Sequence, residues 1–453
     1  MSYAYLKAGA AGLLLLGLAG CSVFGLGEKQ NAVLNASGFV VGDEPLAVQA
    51  GASMLAQGGS AADAAAATYF ALSATYPVAA GLGGGGVCVA RDSASQRSES
   101  LSFLSRDPGS GGAFGVPGNV RGFAALHQRF GRLPWQRVVA PGEGLAATGY
   151  PISQALAVRL RTSQNVIRLD ANLAAEFLNE SGQVKQAGAV VSNPDLGATL
   201  ASIRVIGPNA LYGGALAQKL VDYSTSQGGA IKRDELEGYP VDRESPSTMP
   251  IGSETVMLPP GKVGAGAYTA ALLRRVVDAQ GQVIAGVNPA VAVAVATKAT
   301  LDQFGIASLP RDFGATGFAA IDSTGQAVAC AVTLNGPFGS GHTATATGVI
   351  LARAPSSAQA GLSGAFLTPV IATVGDQSSP ILTGAGAGGP NGTAAMAYTL
   401  LRVALNQEVT QPGEIHSTGL APFDTINVIA CQGDRCVAIP DPAAAGLGAE
   451  APP

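Results

Sequence analysis

Apolar residues over positions 46–55 recur at helical spacing, opened by Asp43-Glu44-Pro45 and closed by Gly58-Gly59, which predicts a helix with a defined start and stop. The stretch 61–75 is also helical in character, and its alanine density predicts burial on nearly every side. Helical patterning returns over 120–130, 138–147, 216–227 and 393–405. Short apolar runs at 87–90, 316–322, 327–334, 348–352, 369–374, 380–383, 426–430 and 437–439 predict strands. Ser323-Thr324-Gly325-Gln326 joins two of these as a hairpin. The glycine run Gly81 to Gly86 leads into a strand, so backbone rather than side chain meets a neighbour there. No helix follows it, which argues against a phosphate loop. Helices first, then strands interleaved with helices, predict stacked layers around mixed sheets.

The first 21 residues follow another pattern. One positive charge, Lys7, precedes an apolar run over 8–19 that ends in Leu18-Ala19-Gly20-Cys21. Small residues before a cysteine mark a lipoprotein signal, and the run is shorter than the roughly 20 residues a spanning helix needs. The expectation is a signal peptide over 1–20, lipidation at Cys21, and a mature protein bound to a lipid membrane of the cell envelope, facing the periplasm. Residues 21–38 read as a polar tether and 39–439 as the folded domain. The Ala/Pro/Gly-rich stretch 440–453 is expected to be a disordered tail.

Composition narrows the function. The chain is 47% hydrophobic and 12% charged, with a net charge of −4 and no basic run, and aromatics are 6%. Nucleic acid is therefore excluded as a partner. The three histidines, His127, His342 and His416, lie far apart without ligand spacing, so neither a metal nor a cofactor is expected. Cys431 and Cys436 flank a turn, placed for a disulfide across that hairpin or as two free thiols. Cys88 and Cys330 sit inside apolar strands and read as buried small hydrophobes, with no catalytic role for Cys330.

The order of these marks resembles the γ-glutamyltransferase family. It is carried by Pro45-Leu46-Ala47, Gly59-Ser60-Ala61-Ala62-Asp63, the glycine run at 81–86, Val116-Pro117-Gly118, Tyr212-Gly213-Gly214, Phe318 to Asp322, Thr333-Leu334-Asn335, Phe338-Gly339-Ser340-Gly341, Thr368-Pro369 and Gly388-Gly389. The resemblance implies an α/β fold, the four-layer αββα sandwich of N-terminal-nucleophile hydrolases. A large-subunit-like part would run to about 314 and a small-subunit-like part would start at 315. It further implies self-cleavage before a threonine whose hydroxyl then attacks a γ-glutamyl carbonyl, with its own freed α-amine as base. Thr333, Asn335, Gly388, Gly389 and, by proximity to the family's carboxylate-binding position, Arg106 would contact a γ-glutamyl or amino-acid-like ligand.

Counting without gaps from Asp322 or Asn335 places Ala315 at the nucleophile. The family's substrate-pairing arginine falls at Leu104, its aspartate at Ser357, and its serine pair at Ala365-Phe366. Two readings follow. In the first, the site is degenerate and the role is binding or scaffolding. In the second, Thr316 is the catalytic nucleophile after a cut before it, which requires a bulge, because strand side chains alternate faces.

Overall fold

The computed structural model describes residues 36–453 except 285, 358–359, 376–378, 412–413, 415–422 and 434. The expected signal peptide, Cys21, most of the tether and His416 lie outside the described residues.

Among the described residues, thirteen strands form the two large antiparallel sheets. In chain order they are β1 (Gly38–Gly42), β2 (Gly85–Asp92), β3 (Arg97–Phe103), β4 (Asp242–Glu244), β5 (Ser247–Ile251), β6 (Glu254–Leu258) and β7 (Ala315–Asp322). There follow β8 (Ala327–Thr333), β9 (Thr368–Val374), β10 (Pro380–Ala387), β11 (Thr425–Gln432), β12 (Arg435–Ile439) and β13 (Leu447–Ala451). The first sheet runs β13-β1-β7-β8-β2-β3-β4 and the second β12-β11-β10-β9-β6-β5. Alternation along β7 shows the layering. Ala319 and Ile321 pack with Val89, Ile371 and Ile429 between the sheets, whereas Phe318 and Ala320 pack among helices.

Helices α1 (Pro45–Ala56), α2 (Ala61–Thr75), α3 (Asn119–Phe130), α4 (Trp135–Thr148), α5 (Gln154–Thr162), α6 (Pro194–Ile206) and α7 (Gly214–Ser226) share one core with the outer face of the first sheet. Helices α8 (Gly264–Leu273), α9 (Pro289–Gln303) and α10 (Pro390–Ala404) share another with the second sheet. The alanine-rich α2 is buried along its whole length, as its composition predicts. A capping box fixes its start: Ser60 Oγ accepts from Asp63 N while Ser60 N donates to Asp63 Oδ2 (2.8 Å). Tyr69 of α2 stacks on Phe123 of α3 at 4.0 Å between ring centres, tying the two helices over the sheet.

Three expectations are corrected. The tail is not disordered: β13 pairs with β1 from Gly38↔Ala451 to Gly42↔Leu447. The small residues that suggested disorder let it pass close to other backbone, since a Cβ on Gly446 or Gly448 would strike the carbonyl of Gly42 or Ala438. Cys88 and Cys330 are not free thiols but a disulfide, directly opposed on β2 and β8. Nothing local reveals a pairing across a sequence separation of 242. The expected strand at 348–352 shrinks to Val349–Ile350, paired with Thr343–Ala344. A second disulfide, Cys431–Cys436, closes the β11–β12 hairpin.

Candidate functional site

β7 begins at Ala315, directly opposite Thr333 at the end of β8, with both side chains buried. The chain enters this strand through Asp312-Phe313-Gly314. Gly314 adopts φ +58°, and a Cβ there would collide with the carbonyl of Gly336, so only glycine fits. Its N–H donates to Asp312 Oδ1 at 2.7 Å. Its carbonyl accepts from Leu334 N (3.0 Å) and from Thr333 Oγ1 (2.9 Å). Two donors therefore converge on the carbonyl of the Gly314–Ala315 peptide. They can stabilise negative charge on that oxygen, the demand of an acyl-transfer site.

Thr333 does more than donate, since its Oγ1 accepts Asn335 N at 2.9 Å. That contact holds Asn335 at φ +61°, a conformation few side-chain-bearing residues adopt. Asn335 Nδ2 then donates to Ser105 Oγ and to Arg353 O, each at 2.9 Å. Gly388 and Gly389 have φ +88° and +156° and abut Phe423 and Asp424, where a Cβ would clash.

Thr316 points the other way. The β7–β8 register runs without a shift through Ala315↔Thr333 and Thr316↔Val332, so no bulge re-aims its hydroxyl. Thr316 Oγ1 donates instead to Asp43 Oδ2 at 2.6 Å. Asp43 also accepts from Asn427 Nδ2 (2.7 Å) and Thr425 Oγ1 (3.0 Å). Burial raises the affinity of Asp43 for a proton, and these hydrogen bonds oppose that rise. The structure thus brings Thr333 and Asn335 together beside Ala315 and leaves Thr316 on the opposite face.

The other positions that the resemblance assigns to ligand holding carry apolar or self-satisfied groups. Phe366 is fully buried and packs edge-on against Phe313 (5.2 Å) and Tyr268 (4.8 Å). Leu104 packs on the same cluster. Ser357 Oγ donates to its own loop at Ala354 O (2.7 Å). Arg106 is ion-paired with Asp242 at 2.8 Å, partly exposed, and lies over the Tyr239 ring. It lines a cleft of about 440 Å3 with Leu104, Ser105, Glu244 and Lys262.

Sequence reasoning missed the strongest electrostatic feature. Arg159 of α5 is 3% exposed, pairs with Asp312 through Nε (3.2 Å) and Nη2, and donates from Nη1 to Ala315 O (3.1 Å). Its guanidinium lies 5.4 Å from the ring centres of both Tyr76 and Phe423. Burial alone would weaken its hold on a proton, but Asp312 and Tyr76 outweigh that and raise it. The available signal was an arginine sharing a helix face with Ala155 and Leu156.

Two more buried carboxyls lie nearby, Asp424 and Asp441. Burial pushes each to about 7 from an ordinary value of 3.8. The folded chain therefore keeps protons that the unfolded chain loses near pH 4. Stability should fall as pH rises from about 4 to 7, by roughly 1.4 kcal/mol per pH unit for each proton retained. Thermal melts between pH 4 and 8 test this. Buried Glu176, Asp43 and Glu44 are raised as well, so Asp424→Asn should remove one proton's share of the slope, roughly 1.4 kcal/mol per pH unit, and leave the rest.

Two stacked antiparallel sheets between helical layers, with a converging pair of donors where β7 begins, define the N-terminal-nucleophile hydrolase fold. A solved cephalosporin acylase from Bacillus halodurans is similar across it, with a TM-score of 0.72 at 18% identity, covering 95% of this chain and 99% of that one. The chain belongs to the gamma-glutamyltranspeptidase family, whose model matches residues 47–282. Glutathione hydrolase 2 of Arabidopsis thaliana is 32% identical over 261 residues, 52% of this chain and 45% of that protein. An acylase ACY 1 proenzyme of Pseudomonas sp. strain V22 is 32% identical over 273 residues, 54% and 48% respectively. The chain spans about half the length of these curated relatives.

Proposed function

We propose that this chain is a lipid-anchored envelope member of the family that neither cleaves itself nor turns over γ-glutamyl substrates, and acts by binding or scaffolding. The observation that carries this reading is Ala315. It holds the position opposite Thr333, beside a carbonyl already engaged by two donors, with a methyl group and no oxygen to attack. The filling of the ligand-holding positions by Phe366 and Leu104 supports it. A zwitterionic glutamyl group bound there would leave charges buried and unpaired. The rival reading, Thr316 as nucleophile, is less favoured because its hydroxyl is committed to Asp43. Anchoring rests on the Leu18-Ala19-Gly20-Cys21 pattern; among the described residues no helix is long and apolar enough to cross a membrane. A small γ-glutamyl or amino-acid-like ligand would bind away from the buried Phe366, in the open cleft where Arg106 and Lys262 face solvent, and that is the binding role to screen first.

Reducing denaturing gels and intact mass after reduction, on the membrane fraction, test this directly, since Cys88–Cys330 would otherwise hold two fragments together. The expected result is one uncut chain beginning at Cys21, carrying acyl mass, with no release from a γ-glutamyl anilide. Two fragments, the second starting at Thr316, would overturn it.

A further inference from the structure

Helix α9 is apolar on two sides. Val293, Ala296, Thr297 and Thr300 are buried against the protein, while Val291 (56% exposed) and Val295 (64% exposed) stand in solvent one turn apart. Val287 and Ile284, in the chain leading into the helix, are exposed as well. A helix that is apolar all round ordinarily has cover on both faces, and a contiguous apolar strip marks an interaction surface. Next to it, Phe304 leads into a groove of about 840 Å3 whose lining includes Met249, Ala271 and Val277, with Arg274 among its charged residues.

The charge around this surface departs from the rest of the chain. Residues 274–311 contain Arg274, Arg275, Lys298 and Arg311 against Asp278 and Asp302, four cations and two carboxylates, a net of +2 in a protein of −4. Lys262, just before them, is ion-paired with Glu244. Arg274, Lys298 and Arg311 are exposed and have no carboxylate partner among the described residues.

We infer that the outer face of α9 docks on a bilayer surface carrying anionic headgroups. Exposed aliphatic side chains, with Lys298 one turn beyond Val295 and Arg274 in the groove beside Phe304, suit the boundary between headgroups and acyl chains. Asp302 is the acidic residue at the far end of the same helix face. A second copy of the chain fits less well. One face of a 15-residue helix falls short of the roughly 1,200 Å2 that stable interfaces bury, and the stripe has no aromatic anchor at its centre. The inference draws on the anchoring reading only for proximity: about 15 residues separate Cys21 from Ala36, a reach of at most about 50 Å.

The test uses a chain starting at Ser22, which carries no lipid; residues 34–453 form one compact unit with its own cores. Co-sedimentation is measured with phosphatidylethanolamine–phosphatidylglycerol vesicles and with phosphatidylcholine vesicles. The wild-type chain should pellet with the anionic vesicles and release as salt rises. Val291→Asp combined with Val295→Asp should lower binding at least tenfold with an unchanged melting temperature, and Lys298→Glu should lower it severalfold. A wild-type chain left in the supernatant, or a double variant that pellets equally well, overturns the inference. So does a wild-type dimer in sedimentation velocity that the double variant breaks, which would assign the face to a second copy. Acyl mass at Cys21 is measured separately, so failure of the anchor and failure of this surface are distinguishable.

Discussion

Ala315→Thr should turn an uncut chain into two fragments. The new hydroxyl oxygen would sit one residue beyond the Gly314 carbonyl, which Thr333 Oγ1 and Leu334 N already engage at 2.9 and 3.0 Å. Attack on that carbonyl carbon forms an ester as the residue-315 nitrogen leaves with the proton. Water then splits the ester, leaving a Gly314 carboxylate and a free α-amine on residue 315. The oxygen that gains negative charge is the one the two donors hold, so stabilisation is in place before reaction starts. Intact mass after reduction of the Cys88–Cys330 disulfide should show the fragments accumulating over hours. Ala315→Val, the same shape without oxygen, should remain whole. Adding Thr333→Ala to Ala315→Thr removes one donor, and loss of one such donor typically slows reaction 10²–10³-fold. An uncut Ala315→Thr chain that is otherwise well folded would mean the carbonyl geometry alone does not suffice.

Arg159→Met should be among the most destabilising single substitutions. It strands the Asp312 carboxylate, 8% exposed, in the interior and removes the donor to Ala315 O. Breaking a buried ion pair by removing one partner costs about 3–5 kcal/mol, a large share of the roughly 5–15 kcal/mol that holds a domain together. Denaturant midpoints measure it. Arg159→Met with Asp312→Leu should recover much of the loss, because no uncompensated charge is left. Arg159→Lys should recover little, since one ammonium cannot span both carboxylate oxygens and the Ala315 carbonyl. Equal losses in the single and double variants would place the cost in packing instead of charge.

These two predictions rest on residues of very different visibility in the sequence. Ala315 and Thr333 were legible because they lie on two adjacent strands. There, a period of two and an ungapped count from Asp322 fix which residues share a face. Asn335, read as sharing Thr333's strand face, instead stands two residues beyond the strand end at φ +61° and reaches the site through the turn. α2 was legible from its alanines, and the β7–β8 hairpin from its turn residues. Arg159 and Asp312 were not, because their meeting depends on how α5 lies over the start of β7, a relation with no local signature. Asp43 was misleading in a specific way. It reads as a helix opener, yet Glu44 caps α1 by accepting Ala47 N at 2.8 Å, which frees Asp43 to bind Thr316, Thr425 and Asn427. The β13 strand was hidden by composition: glycine and alanine signal disorder when alone and close packing when a neighbour is present.

The sheet order has a topological consequence. β1, from the beginning of the chain, lies between β13 and β7 from its end, while β5 and β6 extend a sheet otherwise made of late strands. The two halves are interleaved like the fingers of clasped hands. Severing the backbone at residue 314 would free no piece, since each fragment supplies interior strands to the other's sheet. A nicked chain should elute from a native column as one particle at its uncut volume, and only denaturant together with a reductant should part it, because the Cys88–Cys330 disulfide joins the two pieces. Covalent continuity across that point is dispensable for holding the body together, so chain connectivity there is free to change while the shape persists.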